Sequence, residues 1–286
     1  MRRMPLVRLA VFAASLVGLL LILQSCLQAL SHAVPENLRL PMLAGGDLVV
    51  CIIVVLAYRV VVNWLEARDP AELTLDGRIA QLVPGALLGA GLFCVVCAAL
   101  WLLGVAGSAS WEETAGLPLA AAGSLAAAVG EELIFRGVVF RIIEGRWGTL
   151  AALVFSAALF GFLHGANPGA TVASGTAIAL EAGILLGLAY CTTRSLWLPI
   201  GVHFGWNFTE GGIFGAAVSG GQSHGLLSLP LSGPAALTGG AFGPEASVIA
   251  VLVSLCASAA LTYLTVRRGH WLPLRAAARS AGQQRA

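Results

Sequence analysis

The sequence contains no lysine; all 16 of its basic residues are arginine. Charge of either sign is scarce, with 14 acidic residues and a charged fraction of 10%. A soluble domain carries roughly 25%. So few charges cannot cover a water-facing surface, which excludes a soluble globular enzyme, a disordered chain and a nucleic-acid binder. Aromatics are also few, at 7%. The apolar runs do not alternate with polar residues as barrel strands do. No HExxH pairs two metal ligands on one helix, and neither a repeat nor a soluble domain is visible. Net charge is only +2 and says little about partners. The six cysteines, Cys26, Cys51, Cys94, Cys97, Cys191 and Cys256, all sit in or beside apolar runs. The CxxC at Cys94 and Cys97 therefore reads as buried small hydrophobes, because redox and zinc chemistry need accessible thiolates.

What is present is apolar: 58% hydrophobic residues, 35 glycines and a mean hydropathy of +0.88. These values predict an all-α polytopic membrane protein. A spanning helix needs about 20 largely apolar residues, and the sequence offers eight candidates, near 9–30, 46–65, 80–106, 117–143, 147–167, 172–191, 196–213 and 245–266. They divide into an N-terminal three-helix membrane region (1–116), a core (117–212), and a Gly-rich external loop with the last span and a basic tail (213–286). In this arrangement every arginine except Arg39 falls on one side: Arg2, Arg3 and Arg8, then Arg59, Arg68 and Arg78, then Arg136, Arg141 and Arg146, then Arg194, and finally the tail from Arg267 to Arg285. The bias places both termini in the cytoplasm. Leu23-Gln24-Ser25-Cys26 resembles a lipoprotein processing site, but Gln24 fits poorly, and the reading here is a retained first helix.

An acidic side chain at mid-membrane costs about 2.5–3.5 kcal/mol on insertion scales, so charges inside spans are functional candidates. Asp47, Arg141 and Glu245 fall at predicted span ends and are set aside. Arg59 lies near a cytoplasmic end and can snorkel. Glu181 reads as a structural hydrogen-bonding group, and Glu210 as a solvated helix-end charge. His32, His224 and His270 have no partner at useful spacing.

The densest cluster is Gly130-Glu131-Glu132-Leu133-Ile134-Phe135-Arg136. Glu132 and Arg136 are four residues apart, share a helix face and can pair. Glu131 points elsewhere, without an arginine partner, and suits a general base. A helix-locking ion network is the competing reading. Two further clusters follow, Phe160-Gly161-Phe162-Leu163-His164 and His203-Phe204-Gly205-Trp206-Asn207. Phe160 shares a face with His164, and His203 with Asn207. In an antiparallel hairpin turning near Glu144 to Trp147, Glu131 lies opposite about residue 160, with His164 about one turn further.

These residues fit three motifs: EExxxR at Glu131, Glu132 and Arg136; FxxxH at Phe160 and His164; and HxxxN at His203 and Asn207. In order and spacing they resemble the CPBP intramembrane protease family, which includes the type II CAAX prenyl endopeptidases and the bacterial Abi-type immunity proteins. The resemblance covers roughly residues 117–212. It implies peptide hydrolysis within the membrane, with Glu131 and His164 activating a water, His203 and Asn207 holding the oxyanion, and Glu132 and Arg136 orienting the site. The cofactor stays open: Glu131, His164 and His203 could ligate zinc with an open water position, and a glutamate-dependent reaction needs no metal.

The expectation is an intramembrane endopeptidase of a bacterial plasma membrane. Its partners would be the lipid bilayer and a membrane-anchored peptide or protein, prenylated or leader-like, and no nucleic acid. The alternatives are a non-catalytic membrane immunity or scaffold protein, and a proton-coupled transporter. The transporter reading lacks the inverted repeat that many transporters show.

Overall fold

The computed structural model describes residues 5–112, 116–223 and 225–274. Arg2, Arg3, His224, Arg275, Arg279 and Arg285 lie outside them. The protein is an all-α polytopic membrane bundle. Among the described residues, six helices are long and apolar enough to cross a membrane. They belong to α1 (Pro5–Ala33), α2 (Glu36–Glu66), α3 (Leu82–Leu102), α4 (Leu117–Trp147), α6 (Val172–Thr193) and α8 (Val248–Arg267). Between them, α5 (Thr149–His164) is apolar but shorter, and α7 (Trp197–Asn207) continues through a π-wound turn to Ile213. These two occupy the places of the fifth and seventh predicted spans. At 16 residues, α5 rises about 24 Å, less than the ~30 Å hydrocarbon thickness.

Large apolar side chains such as Leu21, Ile52, Val60, Leu87 and Phe155 point outward. That is the reverse of a soluble bundle and suits a lipid surround. Trp64 and Trp101 are exposed near the C-terminal ends of α2 and α3, where interfacial rings collect.

Small residues set the closest helix crossing. A Cβ on Gly89 of α3 would lie 2.0 Å from the Val202 carbonyl oxygen, and one on Gly205 of α7 would lie 2.0 Å from that of Ala86. Only glycine lets the two backbones meet this closely, the small-residue packing expected between membrane helices. This contact fixes the helix that carries His203 and Asn207. Gly205→Ala must push α3 and α7 apart, and overpacking of this kind costs about 1–3 kcal/mol. A lower thermal midpoint in detergent, together with lost turnover, is the expected result. An unchanged midpoint would show that the crossing tolerates a methyl group.

Two hairpin ends are held by polar staples. At the α2–α3 turn, Tyr58 Oη lies 2.6 Å from Glu72 Oε1 and 3.0 Å from the Gly137 carbonyl oxygen. Arg68 donates to both Glu72 oxygens at 2.8 Å. Burial pushes the Glu72 carboxyl up, but the hydrogen bonds from Arg68 and Tyr58 and the charge of Arg141 outweigh it, so it titrates below its ordinary value. At the α4–α5 turn, Glu144 pairs with Arg194, and Thr149 exchanges hydrogen bonds with Leu272. His270 is not isolated: its Nδ1 lies 3.1 Å from the Cys191 and Thr192 carbonyl oxygens.

The Gly-rich stretch 215–243 is mostly loop, as predicted, with a short helix at Ala235–Thr238 and a strand, Leu227–Ser228, paired antiparallel with Ser110–Trp111. Gly243, at φ 123°, packs against the chain just beyond α7. A Cβ there would lie 2.1 Å from the Ala217 carbonyl oxygen.

Candidate active site

α4, α5 and α7 supply the three motifs. The middle of α4, Leu133–Phe140, is wound as a π-helix and is buried throughout. Arg136 leaves this segment fully buried and donates to Glu132 Oε1 at 2.7 Å. Its other terminal nitrogen bonds the carbonyls of Ala182 and Gly183 at 3.1 and 3.2 Å, where α6 is also π-wound. The Phe160 ring caps the guanidinium at 4.8 Å. The predicted Glu132–Arg136 pair thus forms, and it also ties α4 to α6.

Glu132 Oε1 has a second partner, His203 Nδ1, at 3.0 Å. A carboxylate only accepts, so Nδ1 donates, and the ring turns its Nε2 toward Glu131. His164 is held by similar logic. Its Nδ1 lies 2.8 Å from the Phe160 carbonyl oxygen. That oxygen can only accept, so a neutral His164 keeps its lone pair on Nε2. The Phe160 ring lies 4.4 Å from the imidazole, as the shared helix face predicted.

Both imidazoles converge on one atom. Glu131 Oε2 lies 3.9 Å from His164 Nε2 and 3.9 Å from His203 Nε2. It is buried and has no hydrogen-bond partner, although the side chain as a whole is 32% exposed. These separations exceed hydrogen-bond length. Oε2 and His164 Nε2 are both acceptors, and a water between them could donate one proton to each.

Glu131, His164 and His203 are chemically a zinc-type donor set. Their placement does not fit one: among the described residues, no group of three or more His, Cys, Asp or Glu side chains is arranged to hold a metal ion.

Three of the cavities among the described residues are each lined by at least one motif residue. A small one of about 20 Å³, room for a single water, is lined by His164, His203, Glu181, Asn207, Ser219 and Glu245. A large one of about 800 Å³ runs from Asn207 between α2, α4 and the Gly-rich loop. A third, of about 400 Å³, opens between α1, α2 and α4 and ends on Glu131.

Several charges set aside on sequence prove to be interior. Asp47 is only 8% exposed and sits well inside α2, because that helix begins at Glu36, ten residues before the hydropathy boundary. Glu210 is not solvated. It is fully buried, accepts from the Trp206 indole at 3.2 Å and the Glu245 amide at 3.4 Å, and lies beneath the folded-over loop. Glu245 is buried too, with both the amide and the hydroxyl of Ser219 bonded to its Oε1. Trp206 and Glu210 stand at i,i+4, a spacing that could have signalled their contact. Nothing local signals that of Glu210 with Glu245. Glu181, read as structural, is buried in the wall of the water-sized cavity.

No curated protein and no solved structure matches the chain. Residues 112–209, which carry all three motifs, match the family model of the Rce1-like type II CAAX prenyl endopeptidases.

Proposed function

We propose that the protein is an intramembrane endopeptidase that hydrolyses a membrane-anchored peptide with a water activated by Glu131 and His164. The observation that carries this reading is the unpartnered Glu131 Oε2 set between two imidazole Nε2 atoms, 3.9 Å from each. The family match supports the same reaction class. The large cavity has the size of a ligand site and reaches Asn207, which also lines the water-sized cavity beside His164 and His203.

In this reading the water donates to Glu131 and His164 and its oxygen attacks the scissile carbonyl carbon. The proton passes to the base, and the carbonyl oxygen becomes an oxyanion. Asn207 offers its amide N–H to that oxygen. His203 offers Nε2–H when it is an imidazolium, with its Nδ1–H held by Glu132. Such donors in a water-poor site are worth about 2.7–4 kcal/mol each. The C–N bond then breaks, the held proton goes to the leaving amine, and the products are a new carboxylate and a new amine. Glu132 and Arg136 touch no reacting atom; they position His203. The setting is a plasma membrane, with the arginine-rich connections and both termini on the cytoplasmic side.

The test is cleavage of fluorogenic lipid-anchored peptides, prenylated and unprenylated, by the protein reconstituted in liposomes. Asn207→Ala should lower kcat about 10²–10³-fold with KM little changed, because an oxyanion donor acts mainly in the transition state. Equal turnover by wild type and Asn207→Ala would remove Asn207 from this role. No cleavage of any peptide by folded wild type would favour the immunity or scaffold reading.

A further inference from the structure

The groove between α1, α2 and α4 carries a polar feature that water activation does not use. Asp47 is 8% exposed inside a spanning helix, where a carboxylate is costly, and no cation pairs with it among the described residues. Its Oδ1 accepts one hydrogen bond, from Gln24 Nε2 of α1 at 3.2 Å. Its Oδ2 is directed over Gly123 of α4, 3.6 Å from where a Cβ would stand there. Asp47, Gln24, Gly123 and Glu131 all line the same cavity of about 400 Å³.

The floor of this groove is Gly123, Ala126, Ala127 and Gly130, which leave the α4 backbone close to the open space. Gly123 precedes Glu131 by eight residues, about 12 Å along the helix axis. An extended peptide advances about 3.3 Å per residue. A chain laid along α4 with its scissile carbonyl at Glu131 therefore brings a side chain three or four residues away beneath Asp47. A carboxylate with a free oxygen, low dielectric around it and no cation of its own is complementary to a positive group.

We propose that Asp47, held in place by Gln24, is a specificity subsite for a cationic side chain of the substrate, lysine or arginine, three or four residues from the cleaved bond. This inference rests on the proteolytic reading above and assigns a substrate class to it.

The experiment uses the full-length protein in phosphatidylcholine liposomes. The probes are lipid-anchored fluorogenic peptides identical except for Lys, Ala or Glu at positions two to five on either side of the cleaved bond. Wild type should cleave the Lys peptide about tenfold or more faster than the Glu peptide at a position three or four residues away, the discrimination expected of a desolvated charge contact. Asp47→Asn keeps a hydrogen-bonding partner for Gln24 but removes the charge, and should bring the Lys/Glu ratio toward one. Asp47→Lys should invert it. A purely structural Gln24–Asp47 contact predicts something different: equal losses on every peptide, with the ratio preserved. That result, or a wild type indifferent to Lys against Glu, overturns the subsite while leaving the peptidase reading intact. A Glu131→Gln variant that cleaves as well as wild type removes Glu131 as the base, and with it the register from which the subsite is counted; no cleavage of any peptide by folded wild type overturns the peptidase reading, and the subsite with it.

Discussion

Glu131→Gln is expected to abolish peptide turnover, by at least the 10²–10⁴-fold that a positioned general base contributes, and to leave the fold intact. The two halves of this expectation have separate physical grounds. Glutamine keeps the size and shape of the side chain, but its amide cannot take a proton from the attacking water of the proposed mechanism. The fold is spared because Oε2 makes no hydrogen bond to any neighbour, and about a third of the side chain is exposed. The thermal midpoint in detergent should therefore stay close to that of wild type. Turnover above a tenth of wild type would show that Glu131 is not the base. A midpoint lowered together with activity would indicate a structural role for the residue.

The second large effect is on stability. Arg136 and Glu132 are both fully buried and 2.7 Å apart. Arg136→Met leaves the Glu132 carboxylate without its guanidinium and the carbonyls of Ala182 and Gly183 without their donor. Breaking a buried pair by removing one partner costs about 3–5 kcal/mol. Against a typical total of about 5–15 kcal/mol, that is enough to lower the yield of folded, monodisperse protein sharply. The double variant Glu132→Gln with Arg136→Met removes the orphaned charge and should recover part of the midpoint. It should still be inactive, because His203 Nδ1 then lacks its carboxylate. Recovery of both stability and turnover would show that the pair only props the helices. Recovery of neither would place the main effect in the lost Arg136 contacts to α6.

The local pairings could be read from the chain because a helix repeats every 3.6 residues. That periodicity is enough to pair Glu132 with Arg136, to stack Phe160 on His164, and to send Glu131 to a different face. The hairpin estimate placed His164 one turn from Glu131, and packing closes that offset to 3.9 Å. Hydropathy was a poorer guide to where helices begin and end. It started α2 too late and so treated Asp47 as a terminal charge. It also read Glu210 as solvated, because nothing in a window around residue 210 reports that Gly243 and Glu245 fold onto it.

The sequence by itself determined the solvent and the candidate polar groups. The charge-poor composition demanded a lipid surround, and three spaced motifs marked the polar groups that surround must accommodate. Only the tertiary structure decided how those groups act together. Glu132 joins His203 across 71 positions of chain, two imidazoles meet one oxygen, and Asp47 faces a groove instead of water. The physical reason is range. Spacing along a helix fixes which side chains share a face, but contact between helices depends on how closely their backbones approach, and here that is set by glycines such as Gly89 of α3, far in sequence from the His203 and Asn207 of the helix it packs against.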